Sequence, residues 1–299
     1  MRRELAFLVL TALLAATPAA AQQEADPDAD LRVTAPAYQA NAGPRLVIDG
    51  AHHNFHTADG RYAPFAELMR NDGFRVAGAT APFTDAALAN IDVLVISNAL
   101  AAEDVEEWVA PNPSAFTAEE IAAVRRFVER GGALLLIADH MPMAGAAQEL
   151  AATFGIAFDN GFALNNADED DIFTRENGGL ADDPLLAGIT RLRSFTGSSF
   201  TISAPGVRPL MRLDARYSVL LPQTAWEFDD NTPRLSGEGR LQGAMLEIGR
   251  GRVAVFGEAA MFTAQVAGPD RTPIGLRAPG AEQNKRFILN IVRWLARAP

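Results

Sequence analysis

Short apolar runs alternate with helical patterns along most of the chain. Buried strands are predicted at 46–48, 93–96, 134–137 and 253–256. Between them apolar residues recur at helical spacing, and Thr117 followed by Glu120 marks a capping box at the start of one helix. Strands and helices in this alternation build a parallel sheet, so the pattern predicts a doubly wound α/β fold.

Two later regions depart from that alternation. Residues 160–183, with the acidic run 168–171, form a polar excursion that is too long for an ordinary connector, and we expect a flap or rim. Residues 192–248 are strand-like and rich in turns, which predicts an antiparallel, strand-rich insertion in the mostly parallel sheet. A helical pattern over 282–296 then closes one domain that spans 45–299.

The first residues have the order of a secretory signal peptide. A basic start precedes an apolar run over 5–16, and small residues at 19–21 predict cleavage near Ala21. We therefore expect a periplasmic or secreted protein with no integral membrane segment after cleavage. Residues 22–44 are polar and lack periodicity, which predicts a flexible lead-in.

Charge and cysteine content narrow the classes of partner. The formal net charge is −11 and the sequence contains no basic stripe, so nucleic acid and anionic lipid are not expected as partners. The chain has no cysteine, which excludes disulfides, a lipid-anchored cysteine and a thiol nucleophile.

Seven polar residues directly follow the four predicted strands, and all four histidines are among them. The set is His52, His53, His56, Asn98, Asp139, His140 and Glu258. Ligands of open parallel sheets bind beyond the carboxyl ends of the strands. If the four strands are parallel, these side chains surround one cleft.

Such a cleft supports several chemistries, and the sequence does not choose between them. A divalent metal such as zinc is the candidate cofactor, and its candidate ligands are His52, His56, His140 and Asp139. With a metal bound there, the chain would be a metal-dependent hydrolase in which Glu258 acts as the base.

Metal-free chemistry would use the same residues differently. His52 or His140 would transfer protons while Glu258 or Asp139 orients the ring. Plain binding of a polar ligand such as a sugar would use hydrogen bonds from His53, Asn98 and Asp139. The remaining alternative is that all these residues cap helices and tie loops together.

Three segments carry a family resemblance. They are Leu-Val-Ile-Asp-Gly at 46–50, Gly-Gly-Ala-Leu-Leu-Leu-Ile-Ala-Asp-His at 131–140 and Gly-Arg-Val-Ala-Val-Phe-Gly-Glu-Ala-Ala-Met-Phe at 251–262. Over residues 45–297 the chain resembles the class I glutamine amidotransferase-like superfamily. It is most similar to the branch without amidotransferase activity, which includes exported proteins and the gliding-motility accessory and trehalose-utilisation-type domains. The resemblance implies a flavodoxin-like sandwich with a cleft at the strand ends.

The chain lacks the catalytic residues for the activity after which the superfamily is named. True amidotransferases have a cysteine nucleophile at a strand-to-helix elbow and a later His-Pro-Glu, whereas this chain has 139–141 at the elbow and no histidine at 256–258. We expect an exported amidotransferase-like domain that binds a small polar ligand, for example a glycan. The alternatives are a metal-dependent hydrolase and a non-catalytic envelope interaction module, which would expose an apolar patch. Whether the protein is an enzyme stays open.

Overall fold

The computed structural model describes residues 23–167 and 169–298, so the predicted signal peptide at 1–21 lies outside the described residues. The described chain has five α-helices, α1 (Ala63–Asn71), α2 (Asp85–Leu88), α3 (Ala118–Glu129), α4 (Met143–Ala152) and α5 (Asn284–Leu295). Its strands in the first half are β1 (Gln23–Ala25), β2 (Arg45–Asp49), β3 (Arg75–Ala79), β4 (Val93–Ser97), β5 (Ala133–Ile137), β6 (Ile156–Asp159), β7 (Phe162–Asn165) and β8 (Ile172–Thr174). Those in the second half are β9 (Arg191–Arg193), β10 (Ser199–Ile202), β11 (Arg208–Arg212), β12 (Tyr217–Leu220), β13 (Arg234–Ser236), β14 (Leu241–Ile248), β15 (Gly251–Phe256), β16 (Ala264–Ala267) and β17 (Thr272–Gly275).

The largest sheet joins a parallel part to an antiparallel part. Its strand order is β3-β2-β4-β5-β15-β14-β10-β6, with β11 beside β14. The strands from β3 to β15 are parallel, and the later pairs are antiparallel. The parallel pairing of β15 with β5 confirms the direction expected for the late strand. The architecture is therefore mixed α/β, and the flavodoxin-like assignment stays a prediction.

Helices cover both faces of the parallel strands, which explains their unbroken apolar sequences. All five positions of β4 and of β5 are buried. Alternate side chains point to opposite faces: Val93 and Val95 pack with α1 and α5, whereas Leu94 and Ile96 pack with α3 and α4. Burial on both faces is what a continuous apolar run in a parallel strand requires.

The prediction of a flexible lead-in is wrong for residues 23–44. Strand β1 pairs antiparallel with β16 near the other end of the chain. The Tyr38 ring lies edge-on to Phe74 with 5.3 Å between ring centroids. The Asp72 carboxylate accepts a hydrogen bond of 2.8 Å from the Ala37 N–H. These contacts could not be predicted from periodicity, because isolated residues in a polar segment make them to distant partners.

The two irregular regions contribute strands and carboxylates to the fold. The expected strands over 192–248 are present: β10, β11 and β14 extend the large sheet, whereas β12 and β13 form a separate sheet with β7. In the acidic run, Asp171 is buried and its Oδ2 accepts a hydrogen bond of 2.9 Å from the Thr196 N–H. Residue 168 lies outside the described residues. The excursion is thus partly a buried connection to the second region.

Candidate functional site

Four neighbouring parallel strands end at one edge of the large sheet, which we call the carboxyl end. These strands are β2, β4, β5 and β15. The opposite edge, where the same strands begin, is called the amino end. Asn98, Asp139 and Glu258 follow the last residues of three of these strands within two positions, so the topology places them at the carboxyl end as the sequence predicted.

Asn98, Asp139 and His140 are linked by short hydrogen bonds. The Asp139 N–H donates to Asn98 Oδ1 at 2.9 Å, and the His140 N–H donates to Asp139 Oδ1 at 2.8 Å. Asn98 has a left-handed backbone, with φ of 50°, a conformation that asparagine tolerates better than most residues. His140 Nδ1 lies 2.7 Å from the Met141 carbonyl oxygen. Since a carbonyl can only accept, Nδ1 carries the proton and the neutral ring has its lone pair on Nε2.

Glu258 lies beneath this group, completely buried. Its two carboxyl oxygens accept hydrogen bonds of 2.7 Å from the Ala260 N–H and 2.8 Å from the Met261 N–H. Burial, reinforced by the negative charge of Asp139, raises the pKa of Glu258 well above its usual value. Glu258 therefore fixes the turn after β15 and does not face solvent, and its catalytic role stays a prediction.

His52 is held between two carboxylates on the helix α3 side. Its Nδ1 lies 2.9 Å from Asp49 Oδ2, and its Nε2 lies 2.9 Å from Glu120 Oε1. Glu120 also completes the predicted capping box with Thr117, which the structure confirms. Burial disfavours the charged ring, but the two carboxylates outweigh it and raise the pKa of His52. Both ring nitrogens are occupied, so His52 has none free for a substrate or a metal.

The other two histidines lie apart from Asp139. His53 is exposed and has a left-handed backbone with φ of 47°. His56 is buried against the Tyr62 ring, with 4.5 Å between centroids, and its Nε2 lies 3.3 Å from the Gln265 side-chain nitrogen. Burial, with a smaller effect of the Arg61 charge, lowers the pKa of His56 to about 3. His56 is therefore neutral inside the protein at ordinary pH.

The four predicted metal ligands are not brought together. Within residues 23–167 and 169–298 no group of three or more His, Cys, Asp or Glu side chains is placed to hold a metal ion. Three of these ligands are held by other neighbours. His52 is bound by carboxylates, His56 is buried beside Gln265, and His140 stacks on aromatic rings that are described next.

A cluster of aromatic rings surrounds His140, and sequence reasoning did not find it. The His140 ring stacks on Phe162 and lies edge-on to Trp226, each with 4.7 Å between centroids, and Trp108 is 5.9 Å away. Phe55 contacts Trp108, and Phe228 contacts Phe162. We call these residues the aromatic cluster: Phe55, Trp108, His140, Phe162, Trp226 and Phe228. Its members come from five separate segments, so no local sequence signal marked them.

Two members of the aromatic cluster are well exposed. Trp226 is 52% exposed and Phe228 is 39% exposed. Trp226 also has a left-handed backbone, with φ of 68°, which is unusual for a bulky residue and costs about 1–3 kcal/mol. Folding therefore presents a large apolar side chain to solvent in a strained conformation next to the His140 ring.

Comparison with known proteins establishes the fold alone. No protein-family model and no curated protein sequence matches the chain. The N-terminal domain of mmIFT52 has a TM-score of 0.58 at 13% identity, over 84% of this chain and 97% of that one. A thua-like protein from Bacteroides uniformis has a TM-score of 0.48 at 13% identity, over 90% of this chain and 94% of that one. A β-galactosidase from Rahnella sp. R3 has a TM-score of 0.40 at 10% identity, over 86% of this chain and 32% of that one. Only the first of these neighbours has a TM-score above 0.5, and none of the three assigns an activity.

None of the helices within residues 23–167 and 169–298 has the length and apolar character needed to cross a bilayer.

Proposed function

We propose that the carboxyl end binds a small polar ligand, and that this ligand is a carbohydrate such as a peptidoglycan fragment. The observation that supports the proposal is the exposed part of the aromatic cluster, Trp226 and Phe228, beside Asp139 and His140. Ligand sites typically combine aromatic surface with a small number of well-placed polar groups.

The aromatic rings supply apolar contact for one face of a sugar. A pyranose has C–H groups on its faces and hydroxyls around its rim, and the rigid ring of Trp226 offers a flat surface for the C–H face at a small entropy cost. Two tryptophans and three phenylalanines lie within one cluster. Such a surface could hold more than one sugar unit.

Polar groups at the rim supply the directional contacts. Asp139 is partly exposed, and only its Oδ1 accepts a hydrogen bond among the described residues. The carboxylate therefore has room to accept from a ligand hydroxyl. His140 Nε2 makes no hydrogen bond within the described chain and is therefore available to a ligand hydroxyl.

A fluorescence titration tests the proposal. The chain has three tryptophans, and Trp294 is remote from the cluster because it packs on Arg252 at the start of β15. In a Trp294→Phe background, only Trp108 and Trp226 report, so a muropeptide should change the emission and saturate. Trp226→Ala should weaken binding about tenfold or more, since stacking on one aromatic ring contributes about 1–3 kcal/mol by analogy with base stacking.

Two controls show what would defeat this proposal. Val105→Ala changes another exposed apolar side chain, 40% exposed, and should leave the affinity within about twofold. No saturable signal with muropeptides or simple oligosaccharides, or equal binding by Trp226→Ala, would reject a glycan site at this cluster.

A second candidate, the envelope interaction module, is favoured by the same exposure. Val109 is 45% exposed and forms a β-bridge with Thr224, which places it near Trp226 and Phe228. A continuous exposed apolar surface is typical of a protein contact. Val109→Asp should then abolish a self-association or partner complex seen by light scattering, whereas glycan binding would survive it.

A further inference from the structure

Three cavities lie at the amino end, opposite the aromatic cluster. Their volumes are about 620, 540 and 380 Å³, and each is lined by three arginines. Together the linings contain six arginines and two carboxylates, those of Asp92 and Glu247. We call the six the arginine surface: Arg45, Arg70, Arg75, Arg130, Arg250 and Arg297. This surface is basic although the whole chain has a net charge of −11.

The three cavities are neighbours that share lining residues. Arg75 lines both the 620 and the 380 Å³ cavities, and Arg130 and Arg297 line both the 620 and the 540 Å³ cavities. All six arginines are exposed. A ligand in this groove would therefore meet guanidinium groups along its whole length.

Two of the arginines face each other without a carboxylate between them. Arg45 and Arg75 are paired in register as the first residues of β2 and β3. The Arg75 Nε donates to the Gly43 carbonyl oxygen at 2.9 Å, and neither guanidinium makes an ion pair within the described residues. Like charges directly opposite each other on neighbouring strands are destabilising. An anion bound between them would remove that repulsion.

A second group is held together by carbonyl groups. Arg250 donates to the Arg130 carbonyl oxygen at 2.9 Å, and Arg297 donates to the Arg250 carbonyl oxygen. Carbonyl acceptors orient these guanidinium groups without neutralising their charge. Only Arg130 of this group pairs with a carboxylate, Asp85 at 3.0 Å.

Helix dipoles explain part of the arginine surface. Helices α1, α3 and α5 end at the amino end, and cations are favoured near helix C-termini. This accounts for Arg70, Arg130 and Arg297. It does not account for Arg45 and Arg75, which begin strands, or for Arg250, which lies in the turn between β14 and β15.

We propose that the arginine surface binds a ligand that carries more than one phosphate group. The guanidinium fork matches two oxygens of one phosphate, and this bidentate geometry favours arginine over lysine for phosphate recognition. The chain contains a single lysine, Lys285, which does not line any of the three cavities. The site is remote from the carbohydrate site and does not depend on it.

Calorimetric titration with inorganic tripolyphosphate at low ionic strength tests the proposal. The purified protein should bind the probe saturably, and added salt should weaken binding because exposed charges are screened. The double variants Arg45→Gln with Arg75→Gln, and Arg250→Gln with Arg297→Gln, should each lower the affinity about tenfold. Arg234→Gln, an exposed arginine on β13 in a separate sheet, should change it by less than about twofold.

Each other outcome has a defined meaning. Absence of saturable binding, or equal affinity in both double variants and wild type, would overturn the proposal. Equal binding of citrate would overturn the assignment to phosphate. If a double variant fails to fold, the single Arg45→Gln variant decides, because the Arg45 side chain makes no hydrogen bond within the described residues, and it should bind about threefold more weakly.

Discussion

The ionisable side chains at the two ends of the parallel strands differ in burial and in pairing. At the carboxyl end His52 is buried and paired with Asp49 and Glu120. At the amino end Arg45 and Arg250 are exposed and make no ion pair within residues 23–167 and 169–298. Buried pairs fix side chains in place, whereas exposed groups of one sign remain available to a ligand. We therefore expect mutation of the buried His52 to alter stability and mutations of the exposed arginines at the amino end to alter binding.

The largest expected effect is that of His52→Ala. Removing the ring leaves Asp49 and Glu120 buried without the imidazole that hydrogen-bonds to both, which should cost about 3–5 kcal/mol of unfolding free energy. Denaturant unfolding measures this loss. The adjacent His53→Ala, at an exposed position, should change stability by less than about 0.5 kcal/mol. Similar small changes in both variants would remove the distinction between the two ends.

The next effect is a pH dependence caused by His56. Its pKa is about 3 in the folded protein against 6.5 for an unperturbed histidine, so the unfolded chain binds the extra proton between these limits. The contribution of His56 to stability should be constant above about pH 6.5 and decrease as the pH falls towards 3, by about 1.4 kcal/mol per pH unit. His56→Gln should show a shallower acid loss in melting curves. Parallel curves for the two proteins would show that His56 is not buried neutral.

The smallest effect is expected at the amino end. Arg45→Gln removes the like-charge contact with Arg75 and should raise the unfolding free energy by a few tenths of a kcal/mol at low salt. High salt should abolish this gain in stability, because salt already screens the repulsion that the substitution removes. A loss of more than about 1 kcal/mol would instead show that Arg45 is a structural residue.

Sequence patterns predicted the parallel strands because each is determined by its own residues. Buried runs such as 134–137, and the capping box of Thr117 and Glu120, need only local sequence to be recognised, and the structure contains them. The placement of Asn98, Asp139 and Glu258 at one edge followed from the strand directions. The roles of individual side chains did not follow from the strand directions, because they depend on distant partners. His52, for example, contacts Glu120, which lies 68 positions away along the chain.

Both candidate surfaces are assembled from distant segments. The aromatic cluster joins residues from Phe55 to Phe228, and the arginine surface joins residues from Arg45 to Arg297. The sequence contains no basic stripe, because the six arginines become neighbours only after folding. Surface charge and surface aromatic residues are weakly constrained by periodicity, so the sequence alone could not assign them.

Hydrogen exchange with and without a muropeptide tests the central claim, a carbohydrate site at the carboxyl end, most directly. Ligand contact should slow amide exchange in the segments that carry the site, 97–100, 139–142 and 224–228, and leave 41–45 and 249–252 at the amino end unchanged. Protection at the amino end alone, or no protection anywhere at saturating muropeptide, would contradict the account.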